Sequence, residues 1–311
     1  MQRLLAQRAI SLVFVLFSIT FLTFLVLYLA PGDPVRQMMG GRQDPVRYEF
    51  LRHLYGLDKP FLEQYGNYLW KLLHGDLGLS YKYPERPVWD LLQRGVPVSL
   101  QLGMMALALS LLVGIPTGIY ASLRQNKWQD TGIMALMLTL YSIPSFVLIP
   151  ILWLIDVWLY QNKLPSLPIA GWGNPENYVM PVMVLAAASA GFIARLTRNS
   201  MLEVMRQDYV RTARAKGLRE STILRRHIFR NAMIPILTVL GPASAFLVTG
   251  AFVVENLFAI PGIGYLAVQS IGQRDYPVVL ATTLLLAIAV VVMNLVTDIA
   301  YTFADPRTRE T

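Results

Sequence analysis

Residue types that could do covalent or metal chemistry are sparse in this chain. It holds no cysteine, so disulfides, thiolate metal sites, iron–sulfur clusters and cysteine nucleophiles are excluded. His53, His74 and His227 lie far apart, and none stands in an H-E-x-x-H or similar spacing. No catalytic set and no metal site is therefore expected. A G-x-x-x-x-G-K-[ST] loop is also missing, and Gly262-Ile263-Gly264 follows no strand pattern, so no nucleotide site is expected in the chain itself. What remains is the chemistry of contact. Tyr209-Val210-Arg211-Thr212-Ala213-Arg214-Ala215-Lys216-Gly217-Leu218 combines helix formers with small residues, and its glycine suits a helix C-cap. Ala213, Ala215 and Gly217 leave little bulk, so another protein's backbone could approach closely. Small polar residues are the second candidate set: Tyr141, Ser142 and Ser145 around Pro144, then Ser244, Thr249 and Asn294. They could line a watery passage or could pack helices together. Glu255 is the acidic group to watch at a gate, with a solvated helix end as the plain alternative.

The elements that must position these residues follow from composition. Of 311 residues, 55% are hydrophobic and 15% charged, where soluble domains carry about a quarter charged. The apolar residues collect into uncharged blocks long enough to cross a bilayer, which takes about 20 residues in a helix. Six spans are expected, over about 9–30, 98–123, 131–155, 178–200, 231–254 and 278–298, with 31–97 as a small external helical lobe. The fold class is an all-α polytopic membrane protein forming one domain over 1–311. The first block is longer than the apolar core of a signal peptide, about 7–15 residues, so it reads as a retained helix. Gly114, Pro116, Pro144, Pro150, Pro181, Pro235, Gly241 and Pro242 interrupt the blocks and could kink helices around a path.

Charge gives the direction. The short loops and tails on one side, 195–230 among them, carry sixteen Lys and Arg against two in the short loops opposite, so both termini are expected to be cytoplasmic. That excess also accounts for the net charge of +8 without nucleic acid as a partner. In the lobe, Pro31-Gly32-Asp33-Pro34 stops the first helix and Asp33 can cap the next. Val46–Leu54 and Phe61–Leu73 read as helices, the second with Phe61, Tyr65, Tyr68, Leu69 and Leu72 along one side. Val88–Leu92 reads as a short helix on the membrane surface. Pro261, Gly262 and Gly264 should make a tight turn. In the 195–230 loop, Ile223, Leu224, His227 and Ile228 recur at helical spacing, while Arg225, Arg226 and Arg230 face solvent or lipid head groups.

The segment 208–218 resembles the short cytoplasmic motif of ABC-importer permeases, with Gly217 as its glycine and Pro235 opening the next span. Arg211 stands at that motif's glutamate position, Thr212 at its first alanine, and only Ala213 matches. These departures are similar to the form found in dipeptide and oligopeptide permeases. So are Pro31-Gly32-Asp33-Pro34, Tyr55-Gly56-Leu57-Asp58-Lys59-Pro60, His74-Gly75-Asp76-Leu77-Gly78, Ile193-Ala194-Arg195-Leu196-Thr197-Arg198, Glu255-Asn256-Leu257-Phe258, Arg274-Asp275-Tyr276 and Asp305-Pro306-Arg307. The resemblance is to the B-type subunit of the peptide and nickel branch, closest to the oligopeptide type, with the type I ABC importer permease fold.

The resemblance implies a non-catalytic subunit in a bacterial or archaeal plasma (inner) membrane. Its partners would be a second, C-type permease, two ATPase subunits that bind the ATP and Mg, an extracellular or periplasmic peptide-binding protein, peptide substrate and membrane lipid. Residues 195–230 would form the coupling loop, with Tyr209, Arg211, Thr212, Ala213, Lys216, Gly217 and Leu218 against an ATPase. A nickel chelate or oligosaccharide is the alternative cargo. A secondary transporter is a weaker alternative, because the span centres hold no ionisable residue.

Overall fold

The computed structural model describes residues 2–40 and 44–304, with side chains described over 12–40, 44–238 and 251–296. Among the described residues it is helical, with one isolated antiparallel bridge between Leu79 and Pro87. In chain order the helices are α1 (Gln2–Leu29), α2 (Pro34–Met38), α3 (Pro45–Leu54), α4 (Phe61–Leu73), α5 (Val88–Leu123), α6 (Trp128–Ser142), α7 (Ser145–Gln161), α8 (Glu176–Met205), α9 (Asp208–Ala215) and α10 (Glu220–Thr222). A π-helix, Ile223–Phe229, then leads into α11 (Arg230–Leu257), followed by α12 (Ile263–Gly272) and α13 (Tyr276–Ala304). The chain forms two compact units, Met1–Ser99 with Pro261–Val291 and Leu100–Ile260 with Val292–Thr311.

Among the described residues, α1, α5, α8 and α13 are long and apolar enough to cross a bilayer. The expected span over 131–155 is broken: α6 and α7 together have the required apolar length but bend by 108°. Pro144 is the cause. It forces Ile143 out of the helical region, to φ −80° and ψ 119°. Pro150 and Pro181 lie inside continuous helices, α7 and α8, and α5 runs through Pro116. The expected span over 231–254 falls within α11, where residues 239–250 have no described side chains.

In the first unit, α4 packs on α1 through aromatic rings. Tyr65 is buried among Phe17, Phe21, Phe24 and Phe61, with centroids 5.4–6.3 Å away, and its hydroxyl lies 3.2 Å from Thr20 Oγ1. Asp33 caps α2 as expected, accepting from the backbone N–H of Val35 at 2.9 Å, and its other oxygen accepts from the Tyr48 hydroxyl at 2.7 Å. Gly32 sits at φ +114°, a backbone conformation that strains residues with a Cβ, and the Arg274 guanidinium packs close against it. Val88–Leu92 is not a separate surface helix. It opens α5, with Val88 and Leu92 buried against Ile263, Val278 and Ala281. Gly95 makes room for the backbone at Gly262 and Ile263, and the Ile263 N–H donates to Ser99 Oγ at 2.8 Å. The expected turn at Pro261–Gly264 begins earlier, at Ala259 with φ +51°, and Gly264 is already buried within α12.

One carboxylate organises the loop before α5. Asp275, buried, accepts from the Ser80 hydroxyl and from the backbone N–H groups of Tyr81 at 2.9 Å and Lys82 at 3.2 Å. Burial first, then the nearby Asp275 charge, pushes the Tyr81 phenol above its ordinary value, so it stays neutral.

The second unit is built on α8, against which α5, α6, α7 and α11 gather. Gly114 and Gly118 of α5, one turn apart, lie against Ala190, Ile193, Ala194 and Thr197. A Cβ at Gly118 would stand 2.5 Å from the Ala194 carbonyl oxygen. Gly191 of α8 meets the Met137 carbonyl of α6 just as closely. Gly114 and Gly118 therefore serve close packing, not a helix break. Elsewhere, Asp130 of α6 receives a two-pronged ion pair from Arg198 of α8 at 2.6 and 2.7 Å.

Gly118→Leu should destabilise the protein by about 1–3 kcal/mol through overpacking. Gly103→Ala, with open space around it, should leave the melting temperature in detergent unchanged or slightly higher. Asp275→Ala would strand the buried Ser80 hydroxyl and release the part-buried N–H groups of Tyr81 and Lys82, costing about 1–3 kcal/mol. Trypsin should then cut faster after Lys82, and unchanged cutting there would refute the clamp.

Candidate functional site

The first part of the expected 195–230 loop, residues 195–205, belongs to α8, and the rest folds as a compact knob on the end of that helix. Helix α9 begins at Asp208, whose charge suits a helix N-terminus, and carries Arg214 in its last turn, where cations are favoured. It ends as the sequence predicts. Gly217, at φ +74°, lets its own N–H reach the Arg214 carbonyl at 2.9 Å and the Leu218 N–H reach the Ala213 carbonyl at 3.4 Å. This is a Schellman cap, which favours glycine at that position.

The face that α9 turns inward corrects the expectation about bulk. Ala213 is buried, and with Val210 it packs on Met201, Ile223, Ile228 and Ala232 of the same chain. Its small size therefore serves internal packing. The surface left open consists of Tyr209, Arg211, Thr212, Ala215, Lys216, Gly217 and Leu218, all exposed. Tyr209 accepts from Asn231 Nδ2 at 2.9 Å, which ties α9 to the start of α11. Arg214 reaches Glu220 at 2.8 Å, an exposed pair worth little by itself.

The π-helix explains how the following segment closes the knob. Its wider turn lets Ile223 and Ile228, five residues apart, both face the core. Leu224 and His227 are half-buried, while Arg225, Arg226 and Arg230 are exposed, as their spacing predicts.

The second candidate set is scattered. Tyr141, Ser142 and Ser145 sit together at the α6–α7 break, with the Tyr141 ring 6.0 Å from Phe192 of α8 and Ser142 exposed. Asn294 is half-buried in α13, and Ser244 and Thr249 lie outside the residues with described side chains. Glu255 is fully buried, not a solvated helix end. Near it, Trp153 of α7 stacks edge-on against Phe258 at 5.7 Å, and the Phe258 carbonyl accepts from the Gly171 N–H at 2.8 Å.

Sequence reasoning missed the Asp130–Arg198 pair. Asp130 lies at the edge of an uncharged block and Arg198 in a basic run, and only the approach of α6 to α8 joins them. It also missed Asp156, which is buried in α7 and accepts from the Leu167 N–H at 2.7 Å. A cleft of about 710 Å³ in the first unit is walled by aromatic residues such as Tyr28, Tyr55 and Trp70, with charges of both signs, Arg52, Lys71 and Asp76 among them.

The family described as binding-protein-dependent transport system inner membrane component matches residues 114–310, and its N-terminal companion matches residues 1–103. The dipeptide transport system permease protein of Bacillus subtilis is 40% identical over 307 residues, covering 99% of this chain and 98% of the relative. The glutathione transport system permease protein of Escherichia coli O6:H1 is 36% identical over 303 residues, covering 97% of each. Among solved structures, a chain of the inward-facing MetNI methionine ABC transporter superposes with a TM-score of 0.57 at 20% identity, covering 70% of this chain and 97% of that one. The fold is thus that of an ABC transporter permease. With matches along nearly its whole length, the chain belongs to the family of inner membrane components of binding-protein-dependent transport systems.

Proposed function

We propose that this chain is the permease subunit of an ATP-driven peptide importer, forming half of the translocation pathway. The observation that carries the coupling role is the anchoring of α9. Val210 and Ala213 root it in a core shared with α8 and α11, while Tyr209, Arg211, Thr212, Lys216 and Leu218 face outward. An element so rooted passes a push on its open face to the helices behind it. The energy comes from two partner ATPase subunits that bind ATP and Mg. A second permease completes the pathway, and a peptide-binding protein delivers cargo at the outer face. Both termini are cytoplasmic, as the distribution of Lys and Arg supports. The names of the relatives support peptide cargo. Switching requires that ATP and the binding protein favour different conformations of the assembly.

Arg211 gives the contact a distinct character. It is exposed, 3.5 Å from Asp208, and offers a partner a cation where the general motif offers an acid. The ATPase cleft should accordingly present acidic or carbonyl groups at that point.

In the reconstituted complex, Thr212→Trp should lower ATP-dependent peptide uptake about tenfold or more, the loss expected when a central contact worth ~1.4 kcal/mol or more is blocked. The threonine is exposed, so folding and membrane level should be unchanged. Unaltered uptake would remove the coupling assignment. Gly217 separates contact from conformation. Gly217→Asn, which tolerates positive φ, should keep more activity than Gly217→Val, although neither meets a neighbour within the chain.

A further inference from the structure

Where α6 and α8 meet near their polar ends, the second unit holds a groove of about 350 Å³ whose walls differ in chemistry. One end is lined by Asn126, Arg195, Arg198 and Asn199, and the other runs down α6 past Met134, Met137 and Leu138. We propose that this groove binds an anionic phospholipid, with the phosphate on Arg195 and Asn199 and an acyl chain along Met134 and Leu138.

The charge balance selects the head group. Arg198 gives its Nε and Nη2 to Asp130, and the second Asp130 oxygen also accepts from the Asn126 N–H at 3.0 Å. That pair is neutral overall. Arg195, one turn before Arg198 on the same face of α8, is exposed and has no ion pair or hydrogen bond among the described residues. The groove therefore carries one uncompensated positive charge, which suits a phosphodiester without an amine and gives no reason to hold a zwitterionic head group. Asn199 directs its oxygen toward Arg198 at 3.5 Å, leaving its amide N–H groups to donate.

The depth of the groove selects a lipid over a free anion. From Asp130 to Leu138 the helix rises about 12 Å, the span of a good part of an acyl chain. Trp128 is 81% exposed at the head of α6, where an indole marks the level of the lipid head groups. Leu138 is about half exposed. The walls are joined where Gly191 brings α8 against the Met137 carbonyl and where the Asp130–Arg198 pair links the polar ends.

The chain has no cysteine, so a single introduced one reports from one place. The assembled transporter is placed in nanodiscs of phosphatidylglycerol and phosphatidylcholine, and retained lipid is read by native mass spectrometry. Wild type should keep phosphatidylglycerol in preference, and Arg195→Gln should weaken that preference about tenfold, the loss expected from a charge-assisted contact. A photoreactive group on Leu138→Cys should cross-link to lipid. Equal retention in Arg195→Gln, displacement of the lipid by inorganic phosphate, or a cross-link to a partner subunit would each overturn the proposal. Lipid retention is the readout, so its failure would be distinct from failure of the coupling role of α9.

Discussion

Helix α8 can act as the post of the second unit because three glycines let neighbouring backbones touch it. In lipid there is little hydrophobic drive between helices, so close van der Waals approach must hold them together. Gly114 and Gly118 bring α5 against Ala190 and Ala194, and Gly191 admits α6. The small stretch Ala186–Ala194 of α8 forms the opposing surface, with Ala186, Ser189, Ala190 and Ala194 all buried. With side chains at those glycines the helices would stand apart, and the groove and the ion pair would lose their geometry.

The same post carries the basic knob. Met201, near the end of α8, is fully buried under Val210, Ala213, Ile223 and Ile228. The knob is therefore an extension of the α8 core. The π-helix trades regular hydrogen bonding for the alignment of two isoleucines on that core, a cost repaid by burial of about 1.5–3 kcal/mol for each fully buried aliphatic side chain. Polar residues dominate the outward side, where water or a protein partner can satisfy them.

The first unit rests on a different device. Its loops have little apolar material, so a buried carboxylate gathers them: Asp275 collects three donors from residues 80–82, and Ser80 passes the link on by accepting from the Tyr83 N–H at 3.0 Å. Asp33 does the same on a smaller scale, joining the start of α2 to Tyr48 of α3. An ionised carboxylate offers several acceptor sites at once, so one side chain can order a stretch of irregular backbone.

By itself the sequence determined the helical class, the apolar blocks, the α3 and α4 lobe helices, the Asp33 cap, the Gly217 cap and the outward arginines after it. Each is encoded in local spacing and in the conformational limits of single residues. Tertiary structure alone decided that Ala213 faces inward, that Val88–Leu92 belongs to α5, that Glu255 is buried and that Asp130 finds Arg198. It also decided the meeting of Asp275 with Ser80, 195 residues apart. Those outcomes depend on which backbones approach which. A glycine or a carboxylate looks the same in sequence whether it meets water or another helix.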